Sequence, residues 1–190
     1  MSNITENSKA RGLEPAVFGL WVGIGSIVMM FAAFTSAYIV RQAQGNWLEF
    51  RLPEWFFYST LIILLSSLTI HYAYKFYLKG NTLRYRQLYL LTFILGLGFV
   101  ITQYLGWTAM HAGGVELTGN PSGSFVYVIS GVHALHVLGG LSALAVGVLM
   151  MAVLPHRITP RRKTRFKMMV HYWHFVDILW IYLLLFFMFQ

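Results

Sequence analysis

The chain has 190 residues, of which 57% are hydrophobic, 17% aromatic and 11% charged, with a formal net charge of +8 and no cysteine. A soluble globular domain carries about 25% charged residues, so the polar surface here is too small to cover a water-soluble particle, and the fold class is an all-α integral membrane protein. Lack of cysteine excludes disulfides, iron–sulfur clusters and thiolate metal sites, and the positive charge sits in short connections rather than in the basic stripe of a nucleic-acid-binding protein.

Residues 1–14, MSNITENSKARGLE, form a polar tail without the apolar stretch of a cleavable signal peptide. Five segments then have the roughly 20 apolar residues that a bilayer crossing needs. They are expected at about 15–40, 55–78, 87–111, 124–154 and 166–189, so residues 15–190 read as one transmembrane domain of five helices. Pro15 suits a first helical turn, while Pro53, Pro121, Pro155 and Pro160 fall in connections. Gly80-Asn81 and Gly119-Asn120-Pro121 mark turns.

Orientation follows from the lysines and arginines. Twelve of the 14 lie in the N-terminal tail (Lys9, Arg11), the second connection (Lys75, Lys79, Arg84, Arg86) and the fourth (Arg157, Arg161, Arg162, Lys163, Arg165, Lys167). Only Arg41 and Arg51 fall on the other side. The positive-inside rule then places the N-terminus in the cytoplasm and the C-terminus outside. The basic stretch HRITPRRKTR, 156–165, is first a topology signal; Arg157, Arg161 and Arg162 are also candidate contacts for anionic lipid headgroups.

Ionisable groups at bilayer depth face a bundle interior or a cavity. Asp177 is the one carboxylate well inside a span, accompanied by His171 and His174 on the fifth helix and His133 and His136 on the fourth. His171, His174 and Asp177 follow at intervals of three, which puts them within a stripe about 120° wide at 100° per residue. The loop signs bring both groups to middle-to-inner depth, where they are expected to meet as one polar cluster. Imidazoles suit zinc, copper or iron. A di-iron bundle, however, needs several intramembrane glutamates, and no glutamate lies in any of the five spans. A proton relay would want more than one carboxylate. The reading that remains is a structural network, in which buried polar groups satisfy one another. No internal repeat supports a transporter; a small transporter or channel stays the alternative of another class, with only Asp177 and its histidines to line a path.

Two stretches carry a family resemblance. SGVHALHVLGG, 130–140, is similar to the HGLHVxxG signature, and HYWHFVDILWIYL, 171–183, to the WHFVDxxW signature, of subunit III of haem-copper terminal oxidases. LWVGIGSIVMMFAAFTSAYIV on the first helix also resembles that family, so the likeness runs from about Gly12 to the end. The chain looks like the short five-helix form found in bacterial cytochrome c oxidases and bo-type quinol oxidases. Trp173, Trp180, Gln103 and Trp107 belong to the same fingerprint. Two departures stand out. Ser26-Ile27 replaces the family's Ser-Glu, and Gln103-Tyr104-Leu105-Gly106-Trp107 replaces Gln-x-x-Glu-Trp, so both intramembrane glutamates are missing.

The resemblance implies a non-redox accessory subunit of a proton-pumping cytochrome c oxidase in the bacterial cytoplasmic membrane, or the same subunit of a quinol oxidase. It implies no catalytic, cofactor-binding or metal-binding residue on this chain, with haem and copper on partner subunits. The implied partners are catalytic subunit I, subunit II and phospholipid, with other respiratory complexes as candidates and nucleic acid excluded.

Overall fold

The computed structural model describes residues 15–153 and 159–190. Among them there are five helices and no strand: α1 (Pro15–Gln42), α2 (Trp55–Leu78), α3 (Thr82–Ala112), α4 (Pro121–Val153) and α5 (Pro160–Phe189). All five are long and apolar enough to cross a membrane. A backbone inside hydrocarbon must bond to itself, so each apolar run becomes a helix rather than an open strand.

The helices overrun the apolar segments. α3 begins at Thr82, five residues before the expected 87, because the Asn81 side chain accepts from Arg84 N–H at 3.2 Å and caps the polar first turn. α5 begins at Pro160, six residues before the expected 166. Thr159 Oγ1 accepts from Arg162 N–H at 3.3 Å, and Pro160 occupies a position where a missing N–H costs nothing. Apolarity marks the part that crosses lipid, whereas caps decide where the helix starts. At about 1.5 Å per residue the 33-residue α4 spans about 50 Å, well beyond a hydrocarbon core of about 30 Å.

Two helix ends share one device. Gly80 (φ 72°) and Gly114 (φ 81°) adopt left-handed conformations. Asn81 N–H then reaches Phe76 O, and Val115 N–H reaches Met110 O, both at 3.0 Å. The last free carbonyls of α2 and α3 are satisfied in the pattern that a glycine at this place permits.

α2, α3, α4 and α5 close a ring in which each helix touches the next and α5 returns to α2; α1 lies outside, against α4 and α5 alone. Lipid tails are as apolar as leucine, so close packing and hydrogen bonds rather than water exclusion hold such helices together. Gly96, Gly106 and Gly140 provide the packing. A Cβ on Gly96 would stand 2.7 Å from Leu141 Cδ2 and 2.9 Å from Trp173 Cη2, and one on Gly140 would be 3.0 Å from Trp173 Cζ3. The Trp173 indole thus lies between α3 and α4 in a slot that two missing side chains create. Gly106 receives the ring of Phe56 in the same way, with 3.0 Å to its Cε1.

Candidate functional site

Two places in the fold gather polar chemistry. The first is the seam between α2 and α5. Trp173 and Trp180, seven residues apart on α5, are both fully buried. Each donates its indole N–H to a hydroxyl of α2: Trp173 Nε1 to Ser66 Oγ and Trp180 Nε1 to Thr60 Oγ1, both at 3.0 Å. Ser67 Oγ lies 2.6 Å from His174 Nδ1. The same economy joins α3 to its neighbours. Gln103 Nε2 donates to Ser59 Oγ at 3.0 Å, and Trp107 Nε1 donates to Ser130 Oγ at 2.9 Å. All four fingerprint residues therefore bridge helices.

The five residues expected to form one polar cluster are spread over separate settings. Among the described residues, no hydrogen bond or ring contact joins any two of them. His136 Nδ1 is 2.7 Å from Val132 O and His171 Nδ1 is 2.7 Å from Lys167 O, each within its own helix. His171 also sets its ring against Trp21 of α1, with 6.1 Å between centroids. His174 faces α2. His133 is fully buried over the Trp180 ring (5.2 Å, interplanar 31°), with neither ring nitrogen bonded. Asp177, which falls between Trp173 and Trp180 along α5, is buried with the Ser67 hydroxyl beside it, yet neither carboxyl oxygen meets hydrogen-bond geometry. Among the described residues, no three His, Asp or Glu side chains converge where they could hold a metal ion.

Sequence reasoning passed over the hydroxyls that make the seam. Their signal was present: Ser59-Thr60 and Ser66-Ser67 recur seven residues apart on α2, the interval that separates Trp173 from Trp180 on α5. Two antiparallel helices with matching heptad intervals can form repeated bonds along one face.

The second place is a cavity of about 1060 Å³ at the end of the bundle that carries the arginines. Its walls are Ala16 and Leu20 of α1, Gly139, Gly140, Gly147 and Ala143 of α4, Phe166 and Met169 of α5, and the rings of Tyr85, Tyr89 and Tyr172. Arg86, Arg162 and Arg165 border it. Of the arginines expected to meet headgroups, Arg162 lines the cavity and Arg161 is exposed outside that lining; Arg157 lies outside the described residues. Arg86 and Arg165 were not expected there. Arg86 reaches it only because α3 begins a turn and more before its apolar run.

Five apolar helices joined by indole–hydroxyl and glycine–aromatic contacts define the class: a multi-pass helical membrane protein. Its family follows from likeness to known proteins. The chain belongs to the cytochrome c oxidase subunit III family, whose model matches residues 49–190. It is 32% identical over 173 residues to a probable cytochrome c oxidase subunit 3 of Mycobacterium bovis, an alignment covering 86% of this chain and 82% of that protein. It is 29% identical to the cytochrome c oxidase subunit 3 of Corynebacterium diphtheriae, over 84% of this chain and 83% of that one. Against subunit 3 of the cytochrome bo(3) ubiquinol oxidase of Pseudomonas putida the identity is 31%, over 88% and 82%. The chain is thus an accessory subunit III of an oxidase.

Proposed function

We propose that this subunit III carries no redox centre and braces catalytic subunit I, beside subunit II, in a proton-pumping haem-copper cytochrome c oxidase of a bacterial cytoplasmic membrane. Haem and copper reside on the partner subunits. The N-terminus and the arginine-bearing end of the bundle face the cytoplasm, a reading supported by the twelve-to-two distribution of Lys and Arg. The same subunit of a quinol oxidase is the second reading, favoured by the likeness to the Pseudomonas protein. The histidines and Asp177 serve the packing of α4 and α5 rather than chemistry at oxygen.

The subunit also holds phospholipid. The observation that carries this is the cavity: apolar walls of acyl-chain character, with Arg86, Arg162 and Arg165 placed where a phosphate would lie. Native mass spectrometry of the purified oxidase tests it. Retained phospholipid should be lost when Arg162 and Arg165 are both changed to Gln, and unchanged retention overturns the site. Metal analysis of the isolated subunit should find no stoichiometric iron, copper or zinc, and finding one would overturn the accessory role.

A further inference from the structure

The Asp177 side chain fills space in the packed bundle, but packing alone does not need its ionisable carboxyl. It is 2% exposed, and neither oxygen has a hydrogen-bond partner. An ionised carboxylate without a partner at that depth is very costly; a protonated one needs only an acceptor. An acceptor is in place. The Ser67 hydroxyl faces Asp177 and lies 2.6 Å from His174 Nδ1. The His174 ring is in turn 5.9 Å from that of His71. His71 is exposed, one turn beyond Ser67 on α2 and four residues before Lys75 at the basic end. Ser67, His174 and His71 therefore follow one another from the buried acid towards the basic end of the bundle. Other titratable groups near them are engaged elsewhere. His171 bonds the Lys167 carbonyl, His136 bonds the Val132 carbonyl and His133 packs on Trp180. Between Leu90 and Gln103, α3 carries no titratable side chain, and neither does α1 before Tyr38.

We propose that Asp177 is a proton-binding site that exchanges its proton with the basic-end aqueous phase through Ser67, His174 and His71. In the exchanging arrangement a rotation of the carboxyl brings its O–H to donate to the neighbouring Ser67 Oγ, while the Ser67 hydroxyl donates to His174 Nδ1 and His174 carries its own proton on Nε2. On release, the carboxyl proton passes to Ser67 Oγ as the hydroxyl proton passes to His174 Nδ1. The imidazolium so formed gives up its Nε2 proton to His71 or to water, leaving an Asp177 carboxylate. Uptake is the reverse. The indole N–H groups of Trp173 and Trp180, which flank Asp177 on α5, are committed to Ser66 and Thr60. The route therefore ends at Asp177, and it exchanges a proton without passing one across the membrane.

Infrared spectroscopy of the intact oxidase tests this. The difference between wild type and Asp177→Asn isolates the carboxylic C=O band of Asp177, and its shift in D₂O times the exchange. The band is expected, with exchange about 10²-fold slower in Ser67→Ala and restored in Ser67→Thr. His71→Phe, at an exposed position, should also slow it, and that variant carries the test if Ser67→Ala does not assemble. No carboxylic band lost in Asp177→Asn would mean an ionised Asp177 and overturn the proposal. Wild-type exchange in Ser67→Ala, or in His71→Phe, would overturn the route. Neither readout depends on whether lipid occupies the cavity.

Discussion

α1 and α5 are both apolar membrane helices, but the fold treats them differently. α5 buries Trp173, Val176, Asp177, Trp180, Leu183 and Leu184 along one face and bonds α2 at three side chains. α1 buries only Ile24, Phe31, Thr35 and Tyr38. Besides ring contacts such as Trp21 on His171 and Phe31 on His136, its side chains hydrogen-bond the C-terminal part of the chain through Thr35 Oγ1 to Tyr182 Oη at 3.1 Å and Gln42 Nε2 to Gln190 O at 2.8 Å. The glycines differ as well. Gly96 and Gly140 hold an indole that α5 supplies, whereas Gly19, Gly23 and Gly25 of α1 have open space where a Cβ would be. Apolarity earns a helix its place in the bilayer, and it does not say what the helix packs against. In lipid the discrimination comes from small residues, hydroxyls and indoles.

The largest break in this contrast should come from filling the indole slot. Gly140→Leu places atoms inside the ring of Trp173 and should destabilise the bundle by about 1–3 kcal/mol or prevent assembly. Gly23→Leu on α1 should leave thermal stability in detergent unchanged. Equal losses from the two would erase the distinction between the helices. Next, Asp177→Ala should loosen α5 and lower the amount of subunit III in the purified oxidase, while complexes that do assemble keep their turnover. Normal assembly with abolished turnover would make Asp177 a participant in the chemistry.

A smaller effect is expected at the seam. Trp180→Phe keeps most of the ring and removes the bond to Thr60, for a cost of about 1 kcal/mol. A double-mutant cycle with Thr60→Val should recover most of that cost as coupling, and zero coupling would show that the bond holds nothing. The smallest effect belongs to α1. Thr35→Val removes its bond to Tyr182 and should cost about 0.6 kcal/mol, read as a shift in the melting of the detergent-solubilised subunit.

The four fingerprint residues show how function-related sequence and packing coincide. Gln103, Trp107, Trp173 and Trp180 could be picked out by resemblance, and each proves to donate a hydrogen bond to a hydroxyl on another helix. The acceptors Ser59, Ser130, Ser66 and Thr60 were not picked out, because a lone serine in an apolar helix can equally bond its own backbone, as Ser142 does to Gly139 O. The histidines misled in the opposite direction. Spacing at intervals of three put them on common stripes, but a stripe does not fix what lies opposite. His136 and His171 resolved their polarity within their own helices.

The sequence by itself determined the bilayer class, the number of spans and their cores, and the asymmetry of basic residues. All three depend on apolar runs and on charges near their ends, which act through the solvent and need no knowledge of neighbours. Only the tertiary structure decided that α2 to α5 close a ring with α1 outside, that the cavity gathers Arg86 and Arg165 with Arg162, and that Asp177 lies against Ser67 rather than against the histidines of α4. Those outcomes depend on which helix faces meet. In a membrane every face is nearly equally apolar, so shape and a few hydrogen bonds make the choice.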